Sequence, residues 1–363
     1  MSFRNFIQSS LGLAAEISKH ELEFKKPATT SRGVYSHRDI YLLKIYNTIN
    51  PSVVGTGECA PLSGLSIDDV PDYHVQLSHL VHQINQNKAD DFDFNSFPSI
   101  KFGLETALLD LKNGGRKIIF QNLYAIGRMG IPINGLIWMD NIESMRVEAL
   151  EKIAKGFECI KLKIGALDFE KECQLLAFIR QQPGGDKLII RVDANGAFKK
   201  DALYKLNELK SFNLHSIEQP IKKGQWEEMN ELCEKSPVPI ALDEELIGYH
   251  SEAEIENLIR KINPQYLVIK PNLLGGFVQS DMWIRQAEKN NKGWWITSAL
   301  ESNIGLNAIA QYAANFQNKI HSGLGTGQLY AGNFPPFTNI KHGYLWRDMG
   351  NVASDNQIEP SEK

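Results

Sequence analysis

Hydrophobic and polar positions change their spacing along the chain, and each spacing predicts a different kind of element. In the first 65 residues or so, apolar residues alternate with polar ones through residues 39–47 and 52–60, as in strands with one buried face. Residues 70–86 and 100–111 instead repeat apolar residues at the spacing of amphipathic helices. Strands followed by helices predict a small α+β domain at the start of the chain.

The pattern changes after Pro132, where short apolar runs alternate with amphipathic helical segments. Seven of these runs are INGLIW, ECIKLKIG, LIIRVDAN, HSIEQP, IALDE, YLVIKPN and WWITSALES. Strands that alternate with helices predict a parallel sheet with both faces covered. Seven or eight such units over roughly 200 residues favour a (β/α)-barrel over an open sheet. The predicted fold class is therefore α/β.

The two patterns predict a division of the chain into three segments. Residues 1–125 form the α+β domain, and residues 126–326 form the barrel. Residues 327–363 are rich in Gly, Pro and Asn, and we expect them to pack back on the first domain. The end of this segment, near residues 354–363, is expected to be disordered.

Composition narrows the class of protein without identifying its chemistry. Of 363 residues, 42% are hydrophobic and 23% are charged, which is ordinary for a soluble globular protein. The net charge of −4 does not indicate binding to nucleic acid or to an anionic membrane. No apolar run approaches the roughly 20 residues of a membrane span, and the apolar patch near the start is too short for a signal peptide. The four cysteines form no CxxC pair and are expected to be reduced thiols in a cytoplasmic protein.

Three acidic residues recur at even spacing, each at the end of an apolar run. Asp193, Glu218 and Asp243 are 25 residues apart in both steps. A βα unit needs roughly that length, so the acids fall at the same place in successive units, where barrel enzymes carry their catalytic groups. Any one of them could equally cap a helix or pair with a nearby Lys or Arg. Three at matching positions instead predict oxygen ligands for one hard cation, Mg²⁺ or Mn²⁺.

Three lysines are predicted to face the same barrel mouth. Lys161 and Lys163 lie two residues apart on one strand, so their side chains point the same way. A strand inside a parallel barrel has no freely solvated face, which disfavours a purely solvated explanation for this pair. Lys270 ends a different run and would project from roughly the opposite side. Glu244 and Glu301 are acids that could fix the positions of these lysines.

A cation site flanked by amines suits the removal of a proton next to a carboxylate. Such a proton is very weakly acidic, and a divalent metal on the carboxylate oxygens stabilises the enediolate that forms. A lysine that acts as the base must be neutral part of the time at pH 7. Its pKa must therefore fall from about 10.4, and a second cation together with the metal lowers it.

The motifs that carry these residues resemble those of the enolase superfamily, in its muconate-lactonising subgroup. They are K-x-K at 161–163, D-x-N at 193–195, E-Q-P at 218–220, D-E at 243–244 and K-P-N at 270–272. GECAPL at 57–62 and GLETALLDL at 103–111 resemble the capping domain of that subgroup. The resemblance covers nearly the whole chain and implies a modified TIM barrel, about (β/α)7β, with the α+β domain as its cap. Lysine bases with Mg²⁺ are a known pattern of this superfamily.

Within the subgroup, the chain is most similar to the o-succinylbenzoate synthase family of menaquinone biosynthesis, through INGLIW at 133–138 and SALESNIG at 298–305. That resemblance implies dehydration of a cyclohexadiene carboxylate that bears a succinyl group. It implies that Lys163 removes the α-proton and then protonates the departing hydroxide on the same face. It also implies that Lys270 stabilises the enediolate as a cation from the other face, with Lys161 as a third catalytic lysine. The ligands of Mg²⁺ (or Mn²⁺) would be Asp193, Glu218 and Asp243.

The same resemblance implies a set of residues that grip a small carboxylate substrate. They are Arg191, Asn195, Ser298, Glu301, Ser302, Gly323, Gly325 and Thr326. Residues 29–38 are expected to form a lid from the capping domain that excludes water. The sequence is compatible with a homo-oligomer but does not specify one.

Other activities on the same scaffold stay open. A racemase or epimerase of N-acylamino acids or dipeptides also needs two opposed lysines. Dipeptide epimerases of the subgroup usually carry Asp-x-Asp after the last strand, where this chain reads LGTG at 324–327. A muconate cycloisomerase is a further alternative. A non-catalytic barrel is disfavoured because none of the expected ligands or bases is missing.

Overall fold

The structure is a computed structural model that describes residues 12–30, 33–88 and 92–350. The disordered tail predicted near residues 354–363 lies outside the described residues. Among the helices of the described residues, none combines the length and the apolar content needed to cross a membrane.

The chain begins with an antiparallel sheet of three strands in the order β1-β2-β3. The strands are β1 (Leu13–Thr30), β2 (Gly33–Asn47) and β3 (Asn50–Cys59). Helices α1 (Tyr73–Asn85) and α2 (Pro98–Lys112) pack against this sheet through a shared apolar core. Gly57 allows α2 to lie directly on β3, because a Cβ at residue 57 would stand 1.8 Å from the carbonyl oxygen of Gly103.

All seven apolar runs after Pro132 form strands, and they join one parallel sheet in chain order. The strands are β5 (Gly135–Ile137), β6 (Cys159–Lys163), β7 (Ile189–Asp193), β8 (Ser216–Glu218), β9 (Ile240–Leu242), β10 (Tyr266–Ile269) and β11 (Gly293–Ile296). Parallel bridges from Thr297 to Gly323 and from Ile133 to Ser322 connect the two edges of the sheet. The predicted α/β barrel with a separate N-terminal α+β part is therefore confirmed.

Eight α-helices follow the strands of the barrel. They are α3 (Ile142–Ala154), α4 (Phe169–Arg180), α5 (Ala202–Leu209), α6 (Trp226–Lys235), α7 (Glu252–Ile262), α8 (Pro271–Leu274), α9 (Gly276–Lys289) and α10 (Asn303–Ala313). Helix α7 shows why these segments are helical. Ser251 and Glu254 form a capping box at its start, and its buried residues Ile255, Leu258, Ile259 and Ile262 recur at helical spacing. Each such aliphatic side chain contributes roughly 1.5–3 kcal/mol when it is fully buried.

The last described segment contacts both parts of the molecule. Next to β1, the Lys25 amide donates to the Leu329 carbonyl at 2.8 Å and the Ala331 amide donates to the Glu23 carbonyl at 2.9 Å. Further along, strand β12 (Thr338–Lys341) pairs with β13 (Tyr344–Arg347), and β13 pairs with the short strand β4 (Ile131–Pro132). The segment therefore contacts both the first sheet, through β1, and the start of the barrel region, through β4.

Candidate active site

The parallel register of the barrel brings the predicted acids and lysines to one edge of the sheet. Lys163 pairs with Asp193 across β6 and β7, and Asp193 pairs with Glu218 across β7 and β8. Asp243 and Lys270 follow directly after β9 and β10. All five of these residues are buried: Lys163, Asp193, Glu218, Asp243 and Lys270. Such burial is unusual for charged groups unless they are paired.

These groups form two separate sets of short ion pairs. The Nζ of Lys161 lies 2.8 Å from Asp193 Oδ2 and 2.5 Å from Glu218 Oε2. The Nζ of Lys163 lies 2.6 Å from the same Asp193 oxygen, and the Nζ of Lys270 lies 2.5 Å from Asp243 Oδ2. Contacts therefore join Lys161 and Lys163 to Asp193 and Glu218, while Lys270 and Asp243 form a pair of their own. The lysines come from β6 and from the end of β10, which are four strands apart in the sheet.

Asn195 orients Lys163 from the loop after β7. Its Oδ1 accepts from Lys163 Nζ at 2.7 Å, and its Nδ2 donates to Glu244 Oε1 at 3.0 Å. Its own amide donates to Asp193 Oδ1 at 3.0 Å, and its φ of 44° is one that asparagine tolerates better than most residues. Glu244 thus acts on Lys163 through Asn195.

Gln219 holds two of the acid-bearing strand ends together, a role that the sequence did not reveal. It follows Glu218 with a φ of 41°. Its Oε1 accepts from the amides of Asp243 and Glu245 at 3.2 and 3.3 Å. The E-Q-P motif contained this residue, but neither its backbone conformation nor its partners can be read from residue types.

Burial and the neighbouring charges shift the pKa values of two of these carboxylates in opposite directions. Burial raises the pKa of Glu218 to about 8, and the charges of Asp193 and Asp243 add to that effect while Lys161 opposes it. Burial would also raise the pKa of Asp193, but Lys161, Lys163 and Lys270 outweigh it and hold the pKa of Asp193 well below its usual range. The three ammonium groups balance the three carboxylates, and Glu218 is the carboxylate whose pKa is raised.

Burial and the neighbouring charges shift the pKa values of the three lysines in different directions. Burial lowers the pKa of Lys163, and although Asp193 opposes this, the nearby Lys161 ammonium reinforces it. Burial acts on Lys270 as well, but Asp243 and Glu218 outweigh it and raise the pKa of Lys270. The pKa of Lys161 is raised in the same way by Asp193 and Glu218. Lys163 is therefore the lysine of the three that loses its proton most easily.

The donor set fits a hard divalent cation. Glu218 Oε1 is buried and has no hydrogen-bond partner, so it is an oxygen available to a ligand. In the described part of the chain, no three Asp, Glu, His or Cys side chains form a ready-made metal site. Lysine nitrogens contact an oxygen of each of the three carboxylates. A cation of this class would compete with the ammonium groups for those oxygens, and three carboxylates provide the oxygen-only ligands that Mg²⁺ prefers.

A cleft lies over the carboxyl ends of the strands. Its walls include Asn195, Gln219 and Glu244 from the barrel loops, and residues 33–37 and 63–65 from the first domain. Its volume of about 1730 Å³ exceeds the roughly 300–1000 Å³ of a usual small-molecule site, so the cleft is open to solvent. The predicted lid therefore contributes residues 33–37 to the wall; residues 31–32 lie outside the described residues.

Four of the predicted substrate-binding residues lie just after β11 or beside its end, and they are not among the residues that line this cleft. Ser298 and Thr326 share a hydrogen bond of 2.7 Å between their hydroxyl groups. Gly323 forms the bridge to Thr297, and a Cβ at residue 323 would stand 2.6 Å from the Thr297 hydroxyl oxygen. Burial raises the pKa of Glu301 to about 7, and its Oε1 is buried without a hydrogen-bond partner. Glu301 can therefore be protonated near neutral pH and donate a hydrogen bond.

Arg191 and Ser302 are used within the protein. The Arg191 guanidinium stacks on the Trp295 ring at 4.0 Å and donates to the His321 carbonyl at 2.8 Å. It lies inside the barrel, one layer below Asp193. Ser302 begins α10, and both its amide and its hydroxyl donate to Glu58, at 2.9 and 2.5 Å. The interpretation of these two residues as substrate contacts is not supported by their positions.

Comparison with known proteins agrees with this geometry. A family model described as "Enolase C-terminal domain-like" matches residues 144–350, and one described as "MenC, N-terminal domain" matches residues 14–111. An o-succinylbenzoate synthase from Desulfotalea psychrophila is 41% identical, over 92% of this chain and 99% of the relative. A crystal structure of MenC from the same organism matches with a TM-score of 0.77 and 39% identity, over 92% of this chain and 99% of that one. An N-succinyl-L-Arg/Lys racemase from Bacillus cereus is 24% identical, over 82% of each chain.

Proposed function

This chain belongs to the enolase superfamily and, within it, to the o-succinylbenzoate synthase family of carbon–oxygen lyases, and we propose the following roles for its lysines and carboxylates in the dehydration. Lys163 takes the proton next to the substrate carboxylate and returns it to the hydroxide that leaves from the same face. Lys270 and Lys161 remain protonated. The substrate is a hydroxycyclohexadiene carboxylate with a succinyl group, and the product is aromatic.

The observation that carries this assignment is the placement of Lys163 and Lys270 on opposite sides of the sheet, at β6 and at the end of β10, each against a different carboxylate. The pKa of Lys163 is lowered, as a base needs, whereas the pKa of Lys270 is raised, as a permanent cation needs. Asn195 aims Lys163 through its 2.7 Å hydrogen bond. Lys270 lies across the barrel, where its charge can act on the negative charge that forms when the proton is removed.

Asp193, Glu218 and Asp243 are the residues that would hold Mg²⁺, with Mn²⁺ as a substitute. When bound, the cation supplies positive charge beside the substrate carboxylate and makes the neighbouring proton more acidic. It also neutralises part of the carboxylate charge, which now favours protonated lysines. The pKa of Lys163 then falls further towards neutrality.

The remote part of the substrate is held at the other side of the mouth. Ser298, Thr326 and the turn at Gly323 and Gly325 provide hydroxyl and backbone donors for the succinyl carboxylate. Glu301 provides a carboxyl group that can donate a hydrogen bond while it is protonated. Asn195 contributes an amide at the rim of the cleft.

The wider setting follows from the family. The product feeds menaquinone biosynthesis, and the reaction takes place in the cytoplasm, in keeping with four cysteines that are all unpaired. We further propose that the capping domain is made of residues 1–125 together with residues 327–363, and that residues 126–326 are the catalytic barrel.

Conversion of the cyclohexadiene precursor tests this proposal. Purified protein with Mg²⁺ should produce the ultraviolet spectrum of the aromatic product, and EDTA should remove the activity until Mg²⁺ is restored. No product in the presence of Mg²⁺ would contradict the proposal. Racemisation of an N-succinylamino acid is the second candidate, because two lysines flank the site and one relative is an N-succinyl-L-Arg/Lys racemase. A loss of optical rotation without dehydration of the precursor would favour it.

A further inference from the structure

Leu300 has a strained backbone at the edge of the barrel mouth. Its φ of 63° lies in the left-handed region, which a residue with a side chain adopts only at a cost in free energy. It stands in the loop after β11, between Ser298 and Glu301. Such strain persists only where surrounding contacts impose it, and it is often found at functional sites.

Arg38 supplies those contacts from the opposite part of the molecule. It lies on β2, immediately after the part of the first domain that lines the cleft. Its guanidinium donates to the carbonyl of Ala299 at 2.5 Å and to the carbonyl of Leu300. The Tyr330 hydroxyl donates to the same Leu300 carbonyl at 2.6 Å. The peptide on each side of the Leu300 Cα is therefore held in place.

The other end of the same guanidinium reaches the loop that follows β3. It donates to the Ala60 carbonyl at 2.5 Å, and Asn272, two residues after Lys270, donates to that carbonyl at 2.8 Å. Arg38 is 95% buried, and the charged groups that face it are Glu58 and Glu301. One buried cation thus connects the cap, the loop that carries Glu301 and the segment that follows Lys270.

We propose that Arg38 is a positioning residue for the reaction: it holds Leu300 in its left-handed conformation and thereby presents Glu301 and Ser298 to the substrate. Without Arg38, the backbone at Leu300 relaxes to a negative φ, which turns the following residue away from the mouth. This inference rests on the proposed function, because it concerns the same substrate. Arg38 does not touch the carboxylates that would bind the metal.

Arg180 provides a matched control. It also ends in a guanidinium that donates to backbone carbonyls, those of Gly185, Leu188, Phe212 and Asn213, at 2.5–2.7 Å. It lies at the end of α4, on the outside of the barrel and away from the mouth. Arg180→Met therefore removes a comparable set of hydrogen bonds without disturbing the loop at Leu300.

The test compares steady-state kinetics on the cyclohexadiene precursor for five proteins. They are the wild type and the variants Arg38→Met, Arg180→Met, Leu300→Gly and the double variant Arg38→Met with Leu300→Gly. We expect Arg38→Met to lower kcat/KM by ten- to hundredfold, and Arg180→Met to stay within twofold of the wild type while its Tm falls. Glycine adopts a positive φ freely, so the double variant should recover at least fivefold over Arg38→Met. Titration with Mn²⁺ should give the wild-type affinity in every variant.

Two results would overturn the inference: an Arg38→Met enzyme within twofold of the wild-type kcat/KM, or a double variant no more active than Arg38→Met. If Arg38→Met does not fold, Tyr330→Phe removes only one donor to Leu300, and we expect a three- to tenfold loss. Wild-type kcat/KM in Tyr330→Phe would then overturn the inference. A wild-type protein that makes no aromatic product contradicts the proposed function instead, so the two failures can be distinguished.

Discussion

Lys163 and Asp193 lie opposite each other on neighbouring parallel strands, and the Lys163 ammonium donates to Asp193 Oδ2 at 2.6 Å. This pairing places the proposed base against a proposed metal ligand. The base and the cation must therefore compete for one carboxylate oxygen. Occupation of the site by a cation would free the amine to approach the substrate.

Replacement of Lys163 by alanine should abolish turnover and leave metal binding intact. General-base catalysis contributes roughly 10²–10⁴-fold, so we expect a loss of at least that size in kcat. Turnover is followed by the absorbance of the aromatic product, and metal binding by titration with Mn²⁺. Near-normal activity in this variant would remove the assignment of Lys163 as the base.

Substitutions at Lys270 should separate a role as a cation from a role in proton transfer. Arginine keeps the positive charge, so Lys270→Arg should cost less in kcat than Lys270→Ala, by about tenfold or more, since one charged hydrogen bond is worth about 1.5–3 kcal/mol. Both variants are assayed at saturating substrate. Equal losses in the two variants would instead indicate that Lys270 transfers a proton.

Asn195→Asp should move the pH profile of the reaction. The added carboxylate would stand where the Asn195 amide now contacts Lys163, and a nearby negative charge favours the protonated amine. The pKa of Lys163 would rise, so the neutral base would form only at higher pH. We expect the acidic limb of kcat/KM against pH to shift upward by about one unit. A profile that is unchanged or shifted downward would argue against Lys163 as the titrating base.

Glu105 should make the stability of the protein depend on pH. Its carboxyl lies at the start of α9, where it accepts from the amides of Phe277 and Val278 at 2.5 and 3.3 Å, and burial raises its pKa to about 7. A raised carboxyl pKa means that the protonated form is favoured in the folded state. The contribution of Glu105 to the free energy of unfolding is therefore fully present below about pH 4.5 and is lost as the pH rises through about 7.

Glu105→Gln keeps an acceptor for both amides and removes the charge. The free energy of unfolding of the variant minus that of the wild type should therefore increase as the pH increases from 5 to 8, by up to about 3 kcal/mol. The measurement is urea unfolding at several pH values. A stability difference that is independent of pH would show that Glu105 does not titrate in this range.

The sequence predicted the fold and the charged cluster because both depend on periodicity. Parallel strands place residues that end each apolar run at one edge, so Asp193, Glu218 and Asp243 could be brought together from their spacing alone. The alternation of side chains along β7 places Arg191 on the same face as Asp193, two residues later. It gives the face but not the height within the barrel, and Arg191 lies one layer too deep, on Trp295.

The contacts that the sequence did not predict join segments that are far apart in the chain. Glu58 binds Ser302 across 244 positions, and Arg38 reaches Leu300 across 262 positions. No local pattern marks such pairs. The left-handed backbone at Leu300 and at Gln219 is equally invisible, because neither residue type is one that favours that conformation.

A crystal structure of the protein with Mg²⁺ and the aromatic product tests the central claim most directly. We predict one ion bonded to oxygens of Asp193, Glu218 and Asp243, with the product carboxylate beside it and the Lys163 and Lys270 amines on opposite faces of the product. An ion held elsewhere, or a product whose ring lies outside the space between those two lysines, would contradict the account.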